Sequence, residues 1–161
     1  MTIKVGDKLP NATLRLVTED GARPVTTQEF FAGRKVVLFG LPGAFTPTCH
    51  KNHLPGFLAN EGAFKAKGVA EIAMTSVNDQ YVLGAWSKAT ESDGHVAFLA
   101  DGAAEFAKAA GLDFDASAGG LGVRSRRYSM LVDDGVVKIL NIEESPGKAD
   151  LSGAPHLLGQ I

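Results

Sequence analysis

Cys49 is the single cysteine of the 161-residue chain, and the residues before it bear on the chemistry of its sulfur. Thr46 is predicted to be the N-cap of a helix and Pro47 its first residue, which places Cys49 in the first turn. Unpaired backbone N–H groups and the positive end of the helix dipole favour an anion there. Because the thiolate is the reactive form of cysteine, we interpret Cys49 as a reactive thiol rather than inert core filling.

The four histidines of the chain are not predicted to form a catalytic pair with Cys49 or a metal site. His50 follows Cys49 directly, and successive helical side chains point about 100° apart, so it would not easily reach the sulfur. His53 lies one turn further and could reach the sulfur, but it precedes Leu-Pro and is predicted to cap or pack locally. The histidines show no metal-ligand spacing and one cysteine does not make a zinc site, so we expect no metal.

Apolar runs and turn residues predict the elements that position Cys49. Residues 35–41 form a near-continuous apolar run, typical of a strand buried on both faces, and the Thr46-capped helix follows it with a possible interruption near Pro55. Further strands are predicted at 12–17, 69–77 and 96–100, and a hairpin at 127–132 and 136–142. Helices are predicted after Asp79, after Asp101 and near Ser152. The glycine-rich residues 118–122 are predicted to form a mobile loop.

The alternation of strands and helices predicts an α/β fold with a partly parallel sheet, and 161 residues are most simply one domain, 1–161. Cys49 would then lie at the carboxyl end of a strand, where sites form in such sheets. The net charge of −2 and the lack of a basic stripe argue against nucleic acid, and no apolar run is long enough to span a membrane. One unpaired cysteine and no secretory signal predict a cytoplasmic protein.

Several segments, in order, resemble the type II (atypical) branch of the peroxiredoxins. They are Gly-Leu-Pro-Gly-Ala-Phe-Thr-Pro-Thr-Cys at 40–49, His-Leu-Pro-Gly-Phe at 53–57, Ser-Val-Asn-Asp at 76–79 and Gly-Val-Arg-Ser-Arg-Arg-Tyr at 122–128. The resemblance implies a thioredoxin-like fold, with a central mixed β-sheet flanked by helices, a homodimer and an antioxidant function. It implies a thiol peroxidase without a bound cofactor, in which the Cys49 thiolate attacks hydrogen peroxide or an alkyl hydroperoxide and becomes a sulfenic acid.

The resemblance also implies roles for individual residues around the Cys49 nucleophile. Thr46 would orient the peroxide, Pro42 would cover the sulfur and limit water access, and Arg127 would stabilise the negative charge. Because successive side chains of a strand point to opposite faces, only one of Arg126 and Arg127 can face the helix that carries Cys49, which we call the cysteine helix. The family pattern selects Arg127. Arg124 is a candidate for supporting the site from behind, by bracing the loop.

A second, resolving cysteine of some type II members is missing here. The resemblance places one such position at Met74 and another near Leu151, and neither is a cysteine here, so a sulfenic acid on Cys49 cannot be resolved within the chain. The resemblance therefore implies a one-cysteine cycle with an external thiol, with glutathione and glutaredoxin as the first expectation and thioredoxin as the second. The alternative is a redox-sensing or holdase interaction protein that is switched by Cys49 oxidation.

Overall fold

A mixed seven-stranded sheet organises the computed structural model, which describes all residues 1–161. The strands are β1 (Thr13–Thr18), β2 (Gly21–Thr26), β3 (Lys35–Gly40), β4 (Glu71–Ser76), β5 (Ala97–Ala100), β6 (Asp113–Asp115), β7 (Val123–Ser125), β8 (Tyr128–Asp133) and β9 (Val136–Ile142). The helices are α1 (Thr27–Phe31), α2 (Leu54–Ala59), α3 (Glu61–Ala66), α4 (Gln80–Ala89), α5 (Glu105–Ala109) and α6 (Ala154–Leu158).

The sheet has the strand order β2-β1-β5-β4-β3-β8-β9. The central pairs β3–β4 and β4–β5 are parallel, and the remaining pairs are antiparallel. Parallel neighbours need crossover connections, which the helices after β3 and β4 supply. The predicted α/β architecture with a partly parallel central sheet flanked by helices is therefore confirmed.

Side chains from β3 alternate between two apolar cores, one on each face of the sheet. Val37 and Phe39 pack with Phe57 and Trp86 on one face, whereas Leu38 packs with residues of the other core. All five side chains are almost fully buried. A strand buried on both faces reads as a continuous apolar run, which is why the sequence pattern identified β3.

Gly40, the last residue of β3, allows a close approach between neighbouring strands. It lies opposite Tyr128 of β8, and a Cβ at this position would overlap the tyrosine ring. The absence of a side chain therefore lets the Tyr128 ring lie flat over the end of β3. This places β8 and the residues just before it close to the segment that leads to Cys49.

One strand was missed by the sequence prediction, and two other local predictions are refined by the structure. Strand β2 was not predicted, and it pairs with all of β1 after the turn at Gly21. The glycine-rich segment 118–122, predicted as a loop before the arginine strand, connects β6 to β7, which pair with Asp113 opposite Ser125. The helix predicted near Ser152 begins at Ala154.

The helices predicted after the two aspartates both form, but they are capped differently. Asp79 is the N-cap of α4, and its carboxylate accepts a hydrogen bond from Val82 N–H at 2.9 Å. Asp101 lies four residues before α5 and its carboxylate accepts from Phe106 N–H at 3.1 Å and Ala107 N–H at 2.9 Å. No helix of the protein combines the length and the apolar character needed to cross a bilayer.

Candidate active site

The helical segment that carries Cys49 begins directly after Thr46. Pro47 is its first residue, and His50 N–H donates to the Thr46 carbonyl at 2.9 Å. The predicted side-chain cap is wrong in its hydrogen bond, because the Thr46 hydroxyl donates to the Gly43 carbonyl at 2.6 Å instead of accepting a helix N–H. The Thr46 hydroxyl proton is therefore directed into the preceding turn, and its oxygen remains available as an acceptor.

A π-helical turn, Cys49–His53, follows within the same helix. Leu54 N–H donates to the Cys49 carbonyl five residues earlier, rather than to the carbonyl four residues earlier. Pro55 has no N–H to donate and its ring crowds the carbonyl four residues before it, so a wider turn accommodates it. The interruption predicted near Pro55 thus takes the form of a π turn before the proline, and α2 continues through it.

Arg127 contacts the sulfur of Cys49. Its Nη2 donates to Cys49 Sγ at 3.0 Å, and both side chains are buried. Arg127 precedes β8 by one residue, and it lies on the Cys49 side of the sheet, while Arg126 points elsewhere and contacts the Glu143 carbonyl at 3.5 Å. Folding therefore brings together a buried thiol and a buried guanidinium that are 78 positions apart in sequence. A thiolate at Sγ would be stabilised by this charged donor.

His53 contacts Arg127 rather than Cys49. The Nη1 of Arg127 lies 3.1 Å from His53 Nδ1, and His53 Nε2 lies 3.0 Å from the Ser152 carbonyl. Burial, and secondly the charge of Arg127, lower the pKa of His53 to about 3, so the imidazole is neutral. Since an arginine can only donate, Nδ1 accepts from Arg127 and the Nε2 proton is donated to Ser152.

This role of His53 was missed by reasoning from the sequence. The sequence places His53 one turn after Cys49, within possible reach of the sulfur, and predicts that it caps or packs locally, but it does not indicate a contact with Arg127. The partner of His53 is decided by the π turn and by Arg127, which approaches from the connection just before β8, and neither feature is visible in the local sequence pattern. The third anchor of the guanidinium is the Pro146 carbonyl, which accepts from Arg127 Nε at 3.1 Å and Nη2 at 3.0 Å.

Pro42 and Arg124 contact each other next to the segment that carries Cys49. Pro42 is buried, and its carbonyl accepts a hydrogen bond from Arg124 Nη1 at 3.1 Å. Arg124 Nε also donates to the Leu121 carbonyl at 2.9 Å. Arg124 therefore ties the glycine-rich loop to the segment that precedes Cys49, without contacting the sulfur.

A cavity of about 330 Å³ opens beside these residues, and its lining includes Pro42, Thr46, Phe114, Leu121 and Arg127. A larger cavity of about 440 Å³ next to Tyr81 lies away from Cys49 and has no group suited to thiol chemistry. The smaller cavity is therefore the one next to the thiol site, because Thr46 and Arg127 both line it. No group of three or more His, Cys, Asp or Glu side chains could hold a metal ion.

His50 is held away from the sulfur by an aromatic cluster. Its Nδ1 accepts a hydrogen bond from Trp86 Nε1 at 2.9 Å, and the ring of Phe45 stacks on it with centroids 5.8 Å apart. A cysteine–histidine pair of the hydrolase type is therefore not formed with His50. Trp86 is fully buried, whereas Phe45 is 50% and Tyr81 is 78% exposed.

Comparison with known proteins decides between the chemistries that a buried thiol and guanidinium could serve. The Redoxin family model matches residues 4–158. Peroxiredoxin-2C of Oryza sativa subsp. japonica is 48% identical over 157 residues, which cover 97% of this chain and 96% of the relative. The chain belongs to the peroxiredoxin family. Its relatives place it with the type II peroxiredoxins, as the motifs predicted.

Solved structures of peroxiredoxins agree with this assignment. Reduced Prx3 from Vibrio vulnificus in complex with H2O2 has a TM-score of 0.93 and 47% sequence identity, with 99% of both chains covered. Peroxiredoxin-2E-2, chloroplastic, of Oryza sativa subsp. japonica is 52% identical and covers 98% of this chain and 72% of the relative. The predicted thioredoxin-like peroxiredoxin fold is confirmed.

The peroxiredoxin is thus a thiol-dependent peroxidase with an antioxidant function, and it requires no prosthetic group. The alternative of a redox-sensing or holdase interaction protein is not favoured by its relatives. Its one thiol, Cys49, has no second thiol to pair with. Met74 is fully buried in the sheet core and Leu151 is 44% exposed, and neither residue can serve as a resolving nucleophile.

Proposed function

We propose that this peroxiredoxin reduces hydrogen peroxide and small alkyl hydroperoxides through a one-cysteine cycle at Cys49. The observation that carries the proposal is the 3.0 Å contact between Arg127 Nη2 and Cys49 Sγ in a buried site. The Sγ thiolate attacks the terminal oxygen, an S–O bond forms while the O–O bond breaks, and the leaving oxygen takes a proton to give water or an alcohol. The cysteine is thereby oxidised to a sulfenic acid and the peroxide is reduced.

The residues around Cys49 are assigned to successive parts of this step. The guanidinium of Arg127 stabilises the thiolate and then the charge that develops on the breaking O–O bond. The Thr46 hydroxyl donates a hydrogen bond to the Gly43 carbonyl, so its oxygen is free to accept a hydrogen bond from the peroxide O–H and to orient the substrate. Pro42 covers the site, and Arg124 keeps the Pro42 carbonyl in place from behind. Exclusion of water strengthens each of these electrostatic interactions.

The sulfenic acid is then reduced by an external thiol, because Met74 and Leu151 supply none. A first thiol displaces water from the sulfenic sulfur and forms a mixed disulfide, and a second thiol attacks that disulfide and releases Cys49. We propose glutathione with glutaredoxin as the reductant, with thioredoxin as the second candidate. We further propose that the protein works in the cytoplasm.

The substrate range follows from the cavity. Its volume of about 330 Å³ exceeds what hydrogen peroxide needs, and Phe114 and Leu121 offer apolar contacts to an alkyl group. We propose a homodimer in which the exposed aromatic rings of Phe45 and Tyr81 contribute to the contact between subunits.

The test is peroxide consumption with glutathione and glutaredoxin, compared with thioredoxin and its reductase. Cys49→Ser is expected to lose all activity, and retained activity would remove the proposal. Arg127→Gln is expected to slow sulfenic acid formation by about 10²- to 10³-fold, as loss of one charge-stabilising donor does. Arg126→Gln is the matched control, since Arg126 does not contact the sulfur, and it should leave this rate unchanged.

Intact-mass spectrometry separates the two half-reactions. One equivalent of peroxide should add one oxygen to the protein, and glutathione should then replace it by a glutathione adduct on Cys49. An adduct that forms with glutathione but is reduced only by thioredoxin would reverse the assigned order of reductants.

A further inference from the structure

The segment 143–152, between β9 and α6, accepts two of the four hydrogen bonds that the Arg127 side chain makes, and we name it the C-terminal strap. The Pro146 carbonyl accepts two hydrogen bonds from Arg127. The Ser152 carbonyl accepts from His53, whose other ring nitrogen accepts from Arg127. Backbone oxygens of the strap therefore fix two edges of the guanidinium. The Pro146 carbonyl acts directly, and the Ser152 carbonyl acts through His53.

Glu143 closes this strap into a loop. Its Oε2 accepts hydrogen bonds from both the backbone N–H and the hydroxyl of Ser152, each at 2.7 Å. The side chain of Glu143 is buried, and its residue is only 5% exposed. Its backbone N–H also donates to the Arg127 carbonyl at 2.9 Å. Glu143, at the start of the strap, is thus bonded both to Arg127 and to Ser152, the residue at the end of the strap.

A continuous chain of hydrogen bonds results, and it runs from Glu143 through Ser152, His53 and Arg127 to Cys49 Sγ. All five residues are buried. Burying a carboxylate is costly unless its hydrogen bonds are satisfied, and here no cation forms an ion pair with it. A buried acceptor with both short bonds directed at Ser152 is suited to fixing the end of the strap.

We propose that Glu143 is a positioning residue for the oxidation of Cys49, which acts by holding the C-terminal strap and His53 against Arg127. The proposal rests on the role assigned to Arg127 under the proposed function. Without the Glu143 carboxylate, Ser152 is free to shift, His53 loses its fixed partner, and the guanidinium loses its orientation toward the sulfur. A displacement of about 1 Å at a reacting group can cost about 10²-fold in rate.

The neutral state of His53 supports this arrangement. Its pKa is lowered to about 3 by burial and by the charge of Arg127, so Nδ1 stays an acceptor throughout the neutral range. The Nε2 proton then has a single partner, the Ser152 carbonyl. The position of the Ser152 carbonyl therefore determines the position of the His53 ring, and the ring holds the Nη1 edge of the Arg127 guanidinium in place.

A double-mutant cycle on the rate of sulfenic acid formation tests the proposal. The rate is measured by rapid quenching and intact-mass spectrometry in Glu143→Ala, Arg127→Gln and the double variant. Glu143→Ala is expected to lower the rate by about 10- to 100-fold, and by less than about 2-fold when Arg127 is already glutamine. Glu143→Gln keeps an acceptor and should recover most of the rate, while the exposed neighbour variant Glu144→Ala should match the unmodified protein.

The outcomes are separable. An unchanged rate in Glu143→Ala, or an equal fall in both arginine backgrounds, would overturn the positioning role, since a general structural defect lowers both rates alike. An unchanged rate in Arg127→Gln would overturn the arginine role in the proposed function, and the positioning role with it. If Glu143→Ala does not fold, Ser152→Ala removes one of the two bonds, and the same comparison applies with an expected fall of about 3- to 10-fold.

Discussion

Acid destabilisation of the fold through His53 is the sharpest expectation from the site geometry. In the folded protein, burial and the neighbouring Arg127 lower the pKa of His53 from 6.5 to about 3. In the unfolded chain the imidazole titrates near its ordinary value. As the pH falls below about 6.5, the unfolded state takes up a proton that the folded state refuses, so the free energy of unfolding falls until about pH 3.

The size of the effect follows from the two pKa values. Well inside this window each pH unit costs about 1.4 kcal/mol, and since the slope is smaller near pH 6.5, about 2 kcal/mol is lost between about pH 6.5 and pH 4.5. This is a large share of the roughly 5–15 kcal/mol that stabilises a typical domain. Asp101 opposes the trend, because burial raises the pKa of its carboxyl and stabilises the folded state as the pH falls.

Urea unfolding at several pH values, with and without His53→Gln, isolates the histidine. Glutamine does not titrate, and contributions from Asp101 and other groups cancel in the difference between the two proteins. The unmodified protein should lose about 2 kcal/mol more than the variant between about pH 7 and pH 4.5. Parallel curves across this range would refute a neutral, buried His53, and with it the hydrogen-bond directions assigned around Arg127.

Three further outcomes are expected. Thr46→Val should slow sulfenic acid formation by about 10- to 100-fold while Thr46→Ser stays close to the unmodified rate, because only valine lacks the acceptor oxygen; equal rates would contradict the orienting role. Gly40→Ala should lower the free energy of unfolding by about 1–3 kcal/mol through overlap with Tyr128, whereas Gly62→Ala, in an open helical position, should raise it by about 0.5–1 kcal/mol. Asp79→Ala should cost about 1 kcal/mol in urea unfolding through loss of the α4 cap, and no change would dismiss that cap as a contributor.

The parts of the fold that were predicted correctly have local physical causes. The apolar run of β3 shows in the sequence because both faces of that strand are buried. The Asp79 cap can be recognised in the sequence because the carboxylate and the Val82 N–H that it accepts from are only three residues apart. Strand β2 escaped prediction because only one of its six residues, Val25, is buried, so it has no strong apolar pattern and is defined by pairing with β1.

The sequence by itself determined the reactive atom and the motif around it: one thiol, at the start of a helix after a strand, in a chain with the type II peroxiredoxin pattern. Strand alternation limited the choice of arginine, and the family pattern pointed to Arg127. These conclusions depend on neighbours along the chain or on the order of segments, which a sequence displays directly.

Only the tertiary structure decided which groups meet at the sulfur. The Thr46 hydroxyl donates to the Gly43 carbonyl, and the π turn places His53 against Arg127, which lies just before β8 and is far away in sequence. Glu143 and Pro146 reach that arginine through a segment with no regular pattern. Hydrogen bonds between residues so far apart in sequence are fixed by the packing of β8, β9 and the cysteine helix, and local residue preferences do not encode them.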